Sequence, residues 1–417
     1  MHVILIPDLK HADRSLLQHQ GFLWFWFARV ASVLAFQMLA VAIGWQVYDI
    51  THSAFDLGMI GLVQFISAIL LALPAGHLAD RYERRRLILV CQIIEGFAIC
   101  LLAVGTFLHW FQFSTILIML FLIAAARAFA HPTLQTLLPS LIPPALLPRA
   151  VAASASAGQS AMIVGPAIGG FLYIAGPDVV YGVSGLLCFA AAFSMWRLRT
   201  ERPPIHREPP TLQSVFAGIT FIRHQPVVLG AISLDLFAVL LGGATTLLPI
   251  FARDILHTGP WGLGLLRAAP AVGALTMSVW LAHYPLTRRV GHIMFAAVTG
   301  FGIATLIFAL SHSFVLSLIV LVILGACDMI SVVVRMALVQ LTTPNQMLGR
   351  VNAVNTVFVS TSNQLGGFES GVTAAWFGTV PAVLIGGIGT LIVVVLWMWW
   401  FPALRQRQQL HSNTVYL

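Results

Sequence analysis

Charge is scarce in this chain of 417 residues: 22 Lys and Arg and 14 Asp and Glu make up only 9% of it. A soluble globular domain carries roughly 25%. A surface wetted on every side cannot be covered at that density, so a soluble fold is excluded. Cysteine is scarcer still. Cys91, Cys100, Cys188 and Cys327 each lie in an apolar run, and none clusters with histidine at metal-ligand spacing. They read as packing residues, which excludes a disulfide scaffold and a Cys/His metal site. No Gly-rich loop ending in Lys-Ser/Thr is present, so nothing points to ATP hydrolysis. Nor is there the nucleophile–base or metal constellation that a membrane enzyme needs. The first twenty residues, "MHVILIPDLKHADRSLLQHQ", lack the order of basic flank, apolar core and small-residue site that marks a cleavable signal peptide.

Apolar residues are abundant. They form 59% of the chain, the mean hydropathy is +0.91, and many runs reach the ~20 residues that cross a bilayer core. Twelve spans are expected at about 22–48, 57–79, 87–108, 114–138, 150–175, 179–197, 227–251, 260–284, 290–310, 314–340, 351–376 and 379–401. Lipid offers the backbone no hydrogen-bond partner, so each must be a helix. The connections are short except at 198–226, where "RPPIHREPP" precedes a surface helix. This divides the chain into a segment 1–21, a six-helix bundle 22–197, a linker 198–226, a second bundle 227–401 and a tail 402–417.

The remaining charges report orientation. With the N-terminus inside, 17 basic residues fall in cytoplasmic segments, four lie within spans and only Arg253 lies outside. That bias places both termini in the cytoplasm and the protein in the cell inner membrane as a multi-pass protein. The net charge of +8 therefore belongs to short loops and gives no reason to expect nucleic acid. The aromatic clusters "FLWFWF" (22–27) and "WMWWF" (397–401) fit belts at the cytoplasmic interface.

The halves repeat each other weakly. "YDITHS" (48–53) ends the first span and "RDILHT" (253–258) the seventh; "GGFLYIAGP" (169–177) and "GGFESGVTA" (366–374) stand in the fifth and eleventh. A shared offset near 200 residues points to a duplicated six-helix unit, a recurring transporter design.

Six of the chain's charges are crowded into "GHLADRYERRR" (76–86), in the turn between spans two and three. Positive-inside anchoring accounts for Arg84, Arg85 and Arg86. It does not account for Asp80, nor for Gly76 one helical turn earlier, where a missing side chain permits close backbone approach. Gly76-x-Leu78-Ala79-Asp80-Arg81-x-x-Arg84-Arg85 resembles the loop 2–3 signature of the major facilitator superfamily. The resemblance implies an all-α fold of twelve transmembrane helices in two pseudo-symmetric bundles. It also implies a conformational latch between the halves at Gly76, Asp80, Arg81, Arg84 and Arg85. Glu83 stands where the pattern has glycine, and the loop between spans eight and nine keeps only Arg288 and Arg289. In span five, Gly165-Pro166-x-x-Gly169-Gly170 resembles the antiporter motif of exporters in the superfamily. Segments 127–150, 335–356 and 369–387 resemble its enterobactin-exporter and multidrug-efflux branch.

The resemblance implies a secondary active exporter of a small amphipathic molecule, a siderophore or drug. It would be driven by proton motive force without a bound cofactor or metal, and is expected to work as a monomer. A lysophospholipid or lipid transporter, and a substrate sensor without turnover, are the alternatives.

Charges inside spans cost about 2.5–3.5 kcal/mol each at mid-helix on insertion scales, so they mark sites. Arg29, Arg127, Asp235 and Asp328 lie in spans one, four, seven and ten. They are expected either to line a central cavity with opposite charges from the two halves, or to pair within each half, as Arg29 with Glu95. Proton coupling needs a carboxylate whose environment changes; Asp235, Asp328 and Glu369 are candidates, with Glu95 behind them. His131 is placed beside the cavity as a kink residue or proton relay. Phe36 and Phe237 are expected to contact ligand. Arg267 and Arg335 lie toward the ends of spans eight and ten and are read as snorkelling to the interface.

Overall fold

The computed structural model describes residues 16–110, 112–199, 212–286 and 288–408. Among these it is helical throughout. The first half comprises α1 (Gln20–Thr51), α2 (Ala54–Arg81), α3 (Arg84–Phe107), α4 (Phe113–Leu141), α5 (Leu147–Leu172) and α6 (Pro177–Arg197). A short α7 (Leu212–Arg223) leads into the second half. There the seventh span is built from α8 (Pro226–Leu241), a tight 3-10 turn, the single turn α9 (Leu248–Ile250) and a π-helical turn over Phe251–Ile255. Then come α10 (Pro260–His283), α11 (Val290–Leu310), α12 (Phe314–Thr342), α13 (Asn345–Phe377), α14 (Thr379–Trp400) and the turn α15 (Pro402–Arg405).

Eleven of the described segments are long and apolar enough to cross a membrane. The remaining long helix, α13, has 33 residues but carries Asn352, Asn355, Asn363, Gln364 and Glu369. A polar helix in lipid must turn that face to protein or water. The seventh span outruns its expected end at 251, because Gly242 and Gly243 interrupt α8 and the chain then re-forms helix as far as Ile255.

Within the first half α3 packs on α6, α1 on α5 and α6, and α2 on α4. In the second, α12 packs on α10 and α11, and α14 on α8 and α11. The halves meet through α2 on α13 and α5 on α10. These meetings lie at the end of the bundle that carries the α1–α2 turn, called the closed end below. There α5 and α10 touch backbone to backbone: a Cβ built on Gly264 would lie 2.4 Å from the carbonyl oxygen of Pro166, and one on Gly170 2.5 Å from that of Pro260. Small residues let membrane helices approach this closely.

The two repeats end their first helices alike. His52 and His257 hold left-handed backbone, φ +48° and +50°, an uncommon conformation for residues other than glycine. Just before them Arg253 Nη1 reaches Asp49 Oδ1 at 2.5 Å, and the Tyr48 hydroxyl donates to Asp254 Oδ2. An offset of 205 makes Tyr48 equivalent to Arg253 and Asp49 to Asp254, so each half supplies one acid and one donor.

Candidate functional site

Two cavities lie along α1. The larger, about 200 Å³, sits beneath the closed end between the halves. Phe36, Leu39, Ile43, Leu57 and Ile60 give it apolar walls. Gln64 on α2, Thr246 before α9, Arg267 on α10, and Asn363 and Gln364 on α13 supply its polar groups. Arg267 stands two turns inside α10. Its Nη1 donates to the main-chain oxygen of Ala40 in the opposite half, so it is a cavity residue and not an interface snorkel. The sequence places it near a helix end; only the packing tells which way it faces.

The second cleft lies within the first half, where Arg29, Glu95, Arg127 and His131 meet. Glu95 is buried, at 2% exposure. Its Oε2 lies 3.8 Å from Arg127 Nη1, while its Oε1 is buried and has no hydrogen-bond partner among the described residues. The Arg127 guanidinium carbon lies over the Phe36 ring, 3.7 Å from its centroid, a cation–π contact worth ~0.5–2 kcal/mol. Through Phe36, which also lines the larger cavity, this ion pair borders the space between the halves. The partner of Glu95 is thus Arg127; Arg29 has no ion pair among the described residues.

The second half has its own buried pair. Asp235 Oδ2 lies 3.4 Å from Arg335 Nη2, its Oδ1 accepts from Ser331 at 3.1 Å, and Arg335 Nη1 donates to Asn355 Oδ1 at 3.0 Å. Arg335 is 3% exposed, which overturns the snorkelling reading: it joins α8, α12 and α13. Asp328, Ser331 and Arg335 share a face of α12 at spacings of three and four, and Asp328 lines the same cleft as Asp235. Asp328 thus stands beside the Asp235–Arg335 pair, but no ion pair of its own is seen among the described residues. In this conformation the two in-span ion pairs seen among the described residues, Glu95–Arg127 and Asp235–Arg335, each lie within one half and not across the halves.

Other expected residues fall elsewhere. Phe237 lines none of these spaces; its ring packs 5.2 Å from that of Trp397, so it is not brought to the cavity. Glu369 is half-buried and accepts from the Thr373 hydroxyl at 2.9 Å, away from both clefts. Gly165 and Gly169 fit α5 against Gln37 and Met38 of α1, while Pro166 and Gly170 meet Gly264 of α10, so the motif joins α5 to both halves. Of the latch residues, Gly76 and Asp80 lie outside those whose surroundings are described, and Arg81 is exposed. Arg84 donates to Thr136 O at 3.2 Å and Arg85 to Leu198 O at 2.7 Å, contacts within the first half.

The sequence comparison of the repeats missed that Tyr48, Asp49, Arg253 and Asp254 touch. Arg253 and Asp49 are partly exposed, where a pair contributes ~0.2–1 kcal/mol. Asp49→Arg alone is expected to shift the balance away from the closed-end conformation by less than about tenfold. Adding Arg253→Asp should restore it, as read by the rate of cross-linking at that end. Failure of the double change to recover would deny the pair a role.

Two six-helix bundles, closed on each other at one end around a cavity and each holding a buried ion pair, define a membrane transporter of the major facilitator architecture. The chain belongs to the family described as transmembrane secretion effector, which it matches over residues 13–415. It is 28% identical over 405 residues to the enterobactin exporter EntS of Citrobacter koseri and to that of Escherichia coli O81, with 95% of each chain covered. Among solved structures it resembles a bacterial homologue of the lysosomal transporter Spinster, occupied and inward-facing, with TM-score 0.74, 13% identity, and 94% of this chain and 97% of that one covered. It also resembles a bacterial homologue of the iron transporter ferroportin in its inward-facing state, with TM-score 0.71, 16% identity and coverage of 94% and 100%. The protein is a membrane-embedded carrier of a small molecule and not an enzyme.

Proposed function

We propose that this protein exports a small amphipathic molecule, of the siderophore or drug kind, across a bacterial inner membrane in exchange for protons, working as a monomer. One observation carries the reading: each half buries a carboxylate–arginine pair, Glu95–Arg127 and Asp235–Arg335. Neutralising either carboxylate with a proton releases its arginine, and a released guanidinium must find water or ligand. Protonation and cavity occupancy are linked in this way. Asp328 gives the second half a carboxylate beyond what Arg335 alone can balance. Glu369, hydrogen-bonded outside both clefts, is the weaker candidate.

The closed end holds Arg253, the one basic residue expected outside. On that orientation both termini are cytoplasmic and the cavity faces the cytoplasm, ready to load. Gly165, Pro166, Gly169 and Gly170 form the hinge face over which α5 moves on α1 and α10. The loop from Gly76 to Arg85 fastens the halves when the other end closes. One charge moving through 100 mV gains about 2.3 kcal/mol, enough to concentrate substrate nearly fiftyfold.

The test is proton release from acid-loaded everted vesicles, followed with a pH-sensitive dye while siderophores and drugs are added in turn. A substrate that enters the vesicles should release protons, and Glu95→Gln or Asp235→Asn should abolish that release. Uptake that survives collapse of the proton gradient would overturn coupling. Movement of labelled lysophospholipid alone would make the cargo a lipid, and binding without flux would make the protein a sensor.

A further inference from the structure

Among the described residues, the lining of the cavity between the halves carries a single formal charge. Arg267 is, among the described residues, its only ionisable lining residue, with no Asp or Glu in the lining. The other in-span arginines are placed differently: Arg29 and Arg127 share a cleft with Glu95, and Arg335 is paired to Asp235. Among the described residues Arg267 makes one hydrogen bond, to the main-chain oxygen of Ala40, and no ion pair. A guanidinium has five N–H donors in a planar fork, so most of them are left to the cavity. A cation without a counter-ion at membrane depth is costly, and a ligand that supplies the counter-ion recovers that cost.

The surroundings match such a ligand. Among the described residues no hydrogen bond is seen for the Gln64 side chain, and Gln364 Oε1 is buried without one. Asn363, also in the lining, donates one N–H to Val359 O at 2.8 Å and keeps its other N–H and its oxygen. The same cavity is lined by the apolar side chains of Phe36, Leu39 and Ile43 on α1. An occupant of this cavity is therefore met by a cation and amide groups as well as by hydrocarbon.

We propose that Arg267 binds the anionic, oxygen-rich head of an amphipathic ligand, with Gln64 and Gln364 bracketing the head and the α1 wall taking the apolar body. This deepens the export reading and rests on it only for the direction of transport; binding is read without flux.

The experiment uses the full-length protein purified in detergent and three radiolabelled probes on one bicyclic scaffold: 2-naphthoate, the neutral 2-naphthylmethanol and the cationic 2-naphthylmethylammonium. Equilibrium dialysis, corrected with empty micelles, gives each affinity. The naphthoate should bind about tenfold more tightly than the alcohol, in line with a charge-assisted contact, and the ammonium should bind least. Arg267→Gln should remove that advantage while leaving the alcohol within about twofold, and Arg267→Lys should fall between. If Arg267→Gln loses the alcohol as well, and so its fold, the wild-type ranking and Arg267→Lys decide. No saturable naphthoate binding, or a wild-type preference for alcohol or ammonium, would overturn the proposal, as would naphthoate binding unchanged in both variants. Competition by phosphatidylglycerol in the micelles assigns the head to a lipid; its absence assigns it to a soluble acid. Naphthoate preference without vesicle flux would sink the export reading alone, and flux without the preference would sink this one alone.

Discussion

A valine at position 264 is expected to force the closed end apart. The new Cβ would stand 2.4 Å from the Pro166 carbonyl oxygen and 3.1 Å from the Gly170 Cα, and both obstacles are backbone. No rotamer relieves that contact, so α5 and α10 must separate. Overpacking of this kind costs about 1–3 kcal/mol or more, which moves the balance between closed and open conformations by roughly ten- to a hundredfold. Spin labels replacing Trp110 and Trp376, exposed in opposite halves near this end, should report a longer distance distribution. Export should fall by about tenfold or more, because a carrier that cannot close one end no longer alternates. An unchanged distance distribution would show that the α5–α10 contact does not hold that end shut.

The second large effect concerns folding. Arg335→Met is expected to destabilise the protein by about 3–5 kcal/mol, because it leaves Asp235 buried without its cation. Ser331 would remain as one hydrogen bond to that carboxylate, and Asn355 would lose its donor on α12. Thermal unfolding in detergent should show a clear fall in midpoint. Adding Asp235→Asn should recover most of it, since removing both charges ends the mismatch. A single variant that melts like the parent would mean the pair is dispensable to the fold.

Apolar runs and the bias of basic residues make the helices legible before any coordinates, because lipid leaves the backbone no other choice. The least apolar span, α13, is legible through its position in the repeat more than through its hydropathy. Side-chain direction is what the string withholds. Arg335 stands five residues from the expected end of its span, a place where arginines reach for water, yet α12 continues to Thr342 and turns the residue onto α8. Arg267 sits seven residues from the start of α10 and points inward, toward Ala40. Phe237 is the converse, an aromatic on a helix expected to line the cavity whose ring packs on Trp397 instead. In each case helix packing decides, and the spacing along one helix does not contain it. The pairing expected for Glu95 from the sequence is with Arg29; the packing of α3 on α4 brings Arg127 to it instead.

The paired ends of the two repeats have a consequence for how the molecule parts. A two-fold contact ordinarily uses the same chemistry twice, but here one bond joins a guanidinium to a carboxylate and its counterpart joins a phenol to a carboxylate. Dissolved ions screen the first, exposed pair and leave the neutral donor of the second nearly untouched. Raising the salt concentration on that face therefore loosens one seam before the other, and the bundles begin to separate lopsidedly, like a door freed at a single hinge.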